Sequence, residues 1–116
     1  FESTVEENVP NYLVPQECGN RSDVRWLEVS SQEGNGLRFE TEEQCFECSV
    51  LPYSAYELEN ASHKEELPKS HYTWVRIAEA QMGVGGDDSW GAPVQERYWL
   101  PSDQKRILKF KIQKIK

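Results

Sequence analysis

The chain has 116 residues and a formal net charge of −7, from 20 acidic and 13 basic side chains. That length suits one domain or part of a larger one. The charge speaks against a nucleic-acid partner, because phosphate neutralisation needs clustered Lys and Arg. No apolar run approaches the ~20 residues of a membrane span, so no membrane partner is expected.

Residues 1–11 are acidic and irregular and read as a mobile lead-in to one folded region, 12–116. Residues 16–23 are polar and contain the turn signal Gly19-Asn20. A strand is predicted over 24–29, an Asn35-Gly36 hairpin turn after it, and a return strand over 37–40. Residues 45–51 alternate, with Phe46, Cys48 and Val50 on one face. A short helix is predicted from Ser54, whose Ser54-x-x-Glu57 spacing is that of a capping box. Further strands are predicted over 72–77, 95–100 and 106–112, the last with Leu108, Phe110 and Ile112 inward and Lys109 and Lys111 outward. Short strands with turns between them and one small helix indicate an all-β, antiparallel β-sandwich. The basic residues of 105–116 alternate with apolar ones, as on a solvated strand face.

Cysteine is odd in number, with Cys18, Cys45 and Cys48. An odd count favours a reducing, cytoplasmic setting, with the periplasm as the alternative. The chain opens on Phe1 with no signal-peptide pattern, which suggests a processed chain or an excised piece. Cys45 and Cys48 have C-x-x-C spacing, but residues three apart on a strand diverge, and zinc would need two further ligands. No metal site or cofactor is expected in this chain. His63 and His71 are acid–base candidates that read more simply as surface or packing residues.

The run from Met82 to Gly91 carries three of the seven glycines within four positions, then Asp87, Asp88, Ser89 and Trp90. It is no phosphate cradle: the P-loop lysine is missing and two aspartates would repel an anion. Glycine permits a close approach to a ligand or another chain. An indole in such a loop can stack on the C–H face of a pyranose while nearby carboxylates accept hydroxyl hydrogen bonds. An anchoring role in the chain's own packing is the plainer alternative.

Three segments together resemble the small-chain domain of glycoside hydrolase family 2 β-galactosidases. Val14 to Trp26 looks like the family's P-Q-E-x-G-N-R-x-D-V-R-W, with Cys18 where asparagine is usual. Tyr53-Ser54, Leu58-Glu59-Asn60-Ala61 and His63 match Y-S-x-x-x-L-E-N-A-x-H. Met82 to Trp90 matches M-G-V/I-G-G-D-D-S-W. The resemblance implies the C-terminal part of a supersandwich, a large galactose-mutarotase-like β-domain, here partial. Its partners would be the first half of that sandwich, a TIM barrel holding the catalytic glutamates and divalent metal, and a β-galactoside. The chain alone would hold no catalytic residue.

The resemblance carries sugar stacking over to Trp90 and loop-shaping to Gly85, Gly86, Asp87, Asp88 and Ser89. Glu17, Asn20 and Arg21 are candidates for a barrel-facing surface. An autonomous carbohydrate-binding module and the small subunit of a heteromeric enzyme are alternatives, and a mutarotase-like enzyme using His63 or His71 with a glutamate is a further one. A partial sandwich would expose apolar faces, so weak self-association is expected.

Overall fold

A computed structural model describes residues 1–82, 87–88 and 90–116. Its described elements are β1 (Arg21–Val24), β2 (Trp26–Ser30), β3 (Gly36–Glu40), β4 (Phe46–Leu51), α1 (Ala55–Asn60), β5 (Trp74–Ala78) and β6 (Lys111–Ile115). Single 3-10 turns lie at Glu6–Asn8, Lys64–Glu66 and Glu96–Tyr98. The strands form two three-stranded sheets, ordered β1-β4-β5 and β2-β3-β6. This is an all-β class with one short helix, consistent with the sandwich that the patterning indicates. By contacts the chain divides into one unit of Phe1–Ser22 with Cys48–Ile77 and another of Asp23–Glu47 with Ala78–Lys116.

In the first sheet β4 is the central strand, flanked on both sides. The expected one-sided burial gives way there: Phe46, Cys48, Ser49 and Leu51 are all buried, and Val50 is half-buried. Ser49 is tolerated inside because its hydroxyl accepts a hydrogen bond from Arg76 Nε at 3.2 Å. The helix begins as the sequence predicts. Ser54 Oγ accepts from the Glu57 amide at 3.1 Å, and Glu57 Oε2 accepts from the Ser54 amide at 2.7 Å. Leu58 on α1 is buried to 2% exposure. Within residues 1–11 the chain makes a 3-10 turn, and the Asn8 amide side chain donates to Val50 O at 3.1 Å.

In the second sheet, β3 pairs antiparallel with β2 and with β6. The β2–β3 turn closes through Gly34 N–H to Ser31 O at 2.9 Å and Ser31 N–H to Asn35 O at 2.8 Å. Gly34 takes the left-handed conformation at φ 83°, so the hairpin turns on it and not on the expected Asn35-Gly36 pair. Cross-strand register stacks Trp26, Glu28, Arg38, Glu40 and Lys111 on one face. Arg38 bonds Glu28 at 2.7 Å and Glu40 at 2.8 Å, and its guanidinium lies 4.4 Å over the Trp26 ring. The opposite face carries Leu27, Phe39 and Ile112 in one row, with Val29 beside Leu37.

Three strand expectations are corrected. The stretch 24–29 is two strands in two sheets, parted at Arg25, whose carbonyl instead accepts from Thr41 N–H at 3.1 Å. Residues 95–100 form the Glu96–Tyr98 turn, because Tyr98 and Trp99 N–H bond back to Gln95 O and Glu96 O. Those amides are therefore spent locally and cannot feed a ladder. The last strand runs over Lys111–Ile115, not 106–112. Glu40 ends β3 opposite Lys111, so the residues before Lys111 have no β3 strand to pair with. The inward set fails with it: Phe110 precedes the strand, and Ile112, on an edge strand, is 55% exposed.

Two outcomes follow from these interactions. Ser54→Ala should destabilise the fold by about 1 kcal/mol, read by denaturant unfolding, because it leaves the Glu57 amide without its cap. Arg38 holds the Glu40 carboxyl below its ordinary range, chiefly by the hydrogen bond. A carboxyl lowered in the folded state adds stability above the ordinary carboxylate range and loses it as pH falls through the lowered value. The melting-temperature gap between the parent chain and Glu40→Gln should therefore be widest at neutral pH and close on acidification.

Candidate functional site

Trp90 stands 93% exposed. A ring of that size usually buries most of its surface, so the chain's own packing does not account for its place here. The backbone around it is fixed by short polar contacts instead. Asp88 Oδ1 accepts from the amides of Trp90 at 2.8 Å and Ala92 at 3.3 Å, which makes an Asx-type turn directly under the indole. Asp87 Oδ1 accepts from Gln95 Nε2 at 2.6 Å, tying the turn to the chain eight residues on. Gly91 completes the reversal with φ 108°. Both carboxylates are thus engaged by this strap. Gly85, Gly86 and Ser89 lie outside the described residues.

The same strap continues into a feature that the sequence reading missed. Trp99 Nε1–H donates to Val94 O at 2.6 Å, closing residues 94–99 on themselves. A groove of about 520 Å³ opens beside it, walled by Gln81, Arg97, Tyr98, Trp99 and Arg106. With a 3-10 turn in place of the strand expected at 95–100, Trp99 and Tyr98 are about half exposed.

Glu17, Asn20 and Arg21 belong to the other unit. Arg76 on β5 gathers two of them: its Nε lies 3.2 Å from Glu17 Oε1, and one of its terminal nitrogens donates to Asn20 Oδ1 at 2.8 Å. With Ser49 Oγ also on Nε, a single guanidinium organises the segment around Gly19. Gly19 has φ 69°, and a Cβ there would meet Asn8 O at 3.1 Å and Leu51 Cδ2 at 3.2 Å. Arg21 is apart from that cluster, bonding Asn8 Oδ1 at 3.3 Å and lying 4.4 Å over the Phe1 ring. Cys18, half-buried between them, has its thiol pushed up by burial and then by Glu17, which keeps it protonated and unreactive. In the sequence Arg76 only follows Tyr72 and Trp74 at alternate positions, Tyr72-x-Trp74-x-Arg76, and nothing there announces its partners.

No group of three or more metal-binding side chains occurs among the described residues. Cys48 is buried on β4, and Cys45, which precedes that strand, is half-buried. His63 Nδ1 lies 3.4 Å from Glu66 Oε1, with both side chains exposed on one 3-10 turn. An acid and a base on the same turn do not oppose each other across a sugar. No helix among the described residues is long and apolar enough to cross a membrane.

Residues 1–112 match the protein family described as beta galactosidase small chain. The β-galactosidase of Halalkalibacterium halodurans is 47% identical over 115 residues, covering 99% of this chain and 11% of that protein. The β-galactosidase BgaC of Bifidobacterium adolescentis is 47% identical over 106 residues, covering 90% of this chain and 10% of its own length. The β-galactosidase small subunit of Latilactobacillus sakei is 40% identical over 114 residues, covering 90% of this chain and 36% of that subunit. The chain therefore spans about a tenth of the two long relatives and about a third of the small subunit. Two sheets, an outward indole on an aspartate-held strap, and this similarity over nearly the whole chain make it a member of the β-galactosidase small-chain family.

Proposed function

We propose that the chain is the C-terminal part of the small-chain domain of a glycoside hydrolase family 2 β-galactosidase. It supplies no acid, base or nucleophile of its own. Its contribution is the Trp90 ring, presented to the galactoside at the mouth of a TIM barrel that lies elsewhere in the parent protein. The observation that carries this reading is the near-complete exposure of Trp90 on a turn whose backbone Asp88 fixes. With the backbone beneath it tied down, an exposed aromatic face is available to stack on the apolar side of a pyranose. The first half of the sandwich would cover Leu37 and Ile112, the exposed apolar residues beside the buried Phe39. The odd cysteine count favours a reducing, cytoplasmic setting.

The small subunit from L. sakei supports a second arrangement, in which this segment sits in a separate subunit paired with a larger one. Both arrangements place Trp90 in the same role.

In the full-length enzyme, Trp90→Ala should lower kcat/KM for a galactoside by the equivalent of ~1 to 3 kcal/mol, by analogy with stacking on other flat ligands. Steady-state kinetics at unchanged melting temperature read this directly; a kcat/KM equal to that of the parent enzyme would sink the proposal. The 116-residue chain alone should not hydrolyse a chromogenic galactoside. It should also self-associate weakly through the Leu37–Ile112 face, so a strictly monomeric sedimentation profile at high concentration would count against an uncovered sheet.

A further inference from the structure

The groove beside Trp99 is not used by the function proposed for Trp90, and its chemistry is specific. Trp99 and Tyr98 expose 52% and 56% of their surfaces. The indole N–H of Trp99 is already satisfied by Val94 O, so that ring is held in place and offers its apolar face. Around it stand planar hydrogen-bonding groups: the guanidinium groups of Arg97 and Arg106 and the amide of Gln81. Arg106 NH1 is fixed by Glu79 Oε2 at 2.8 Å, and Arg97 lies 4.7 Å over the Tyr98 ring.

Rings flanked by planar polar side chains match a pyranose, which has C–H faces and equatorial hydroxyl pairs. The charges argue against an anion. Arg106 is answered by the Glu79 carboxylate, so only Arg97 adds unbalanced positive charge to the groove. The volume of about 520 Å³ admits one or two sugar units.

We propose that the groove walled by Trp99, Tyr98, Arg97, Arg106 and Gln81 is a second saccharide subsite that takes a neutral pyranose unit, separate from the contact made by Trp90. The choice of a sugar as ligand rests on the galactoside reading above. The subsite itself is a property of Gln81, Arg97, Tyr98, Trp99 and Arg106 and can be read on this chain without the barrel. Asp87 and Asp88 brace the strap that carries both rings, so the two contacts share one scaffold.

The test is a titration of the isotope-labelled chain with lactose, following the indole N–H resonances residue by residue, with galacturonate as the charged comparison. A saturable shift at the Trp99 indole is expected, with affinity on the order of millimolar for so shallow a site. Trp99→Ala and Trp99→Phe have no indole at this position, so their lactose binding is read at the Tyr98 backbone amide; Trp99→Ala should weaken it by about tenfold or more, from lost stacking. Trp99→Phe, which keeps a ring but not the bond to Val94, should retain measurable binding. Arg97→Ala, at an exposed position, weakens binding without unfolding the chain and guards against a Trp99 variant that fails to fold.

A lactose response at Trp90 alone, no response at all, or binding of galacturonate with lactose silent would each overturn the subsite. None of these results bears on the kinetic effect of Trp90→Ala in the full enzyme, so the two proposals fail separately.

Discussion

One carboxylate oxygen, Asp88 Oδ1, accepts two backbone amides and so ties down the backbone from which the Trp90 ring projects. An indole kept in water gains nothing from burial, so apolar packing cannot hold this part of the chain. Hydrogen bonds must do it, and charged acceptors are the strongest available without a core. Asp87 on Gln95 and Val94 O on the Trp99 indole extend the same logic along the strap. Rigidity here comes from a few short, directional contacts on the protein surface. Such contacts fix an orientation better than a stability, which is what a contact residue for someone else's active site requires.

The polar segment around Gly19 is organised by the opposite device. Arg76 draws Glu17, Asn20 and Ser49 onto one guanidinium, and the glycine at position 19 lets the chain pass close to Asn8 and Leu51. Glu17 and Asn20 are therefore spent on holding the segment. A barrel-facing role for them would act through the shape that Arg76 imposes. Arg21 keeps a separate set of partners, so the three sequence candidates are not one cluster.

What could be read in advance was local. The capping box at Ser54 and Glu57 depends on four adjacent residues and formed as the spacing requires. The β2–β3 hairpin was legible from its composition, although Gly34 rather than Asn35-Gly36 took the left-handed position. Long-range pairing was not legible. Alternation over 106–112 looked like a strand, but where β6 begins is set by where β3 ends, seventy-odd positions away in the chain. Residues 95–100 had strand-like composition, and one indole-to-carbonyl bond favoured a turn. At the site, Trp90 stood out by its glycine and aspartate neighbours, whereas Arg76 meets Asn20 across 56 positions and nothing local announces it.

The β6 strand carries Lys111 and Lys114 on opposite faces, with Lys109 before it and Lys116 after. Another polypeptide docking along that border would have to strip water from ammonium groups above and below the plane together. Ribbon-like stacking of copies is thereby discouraged on this side. Any neighbour is steered toward the β2 margin or onto the face that exposes Leu37 and Ile112.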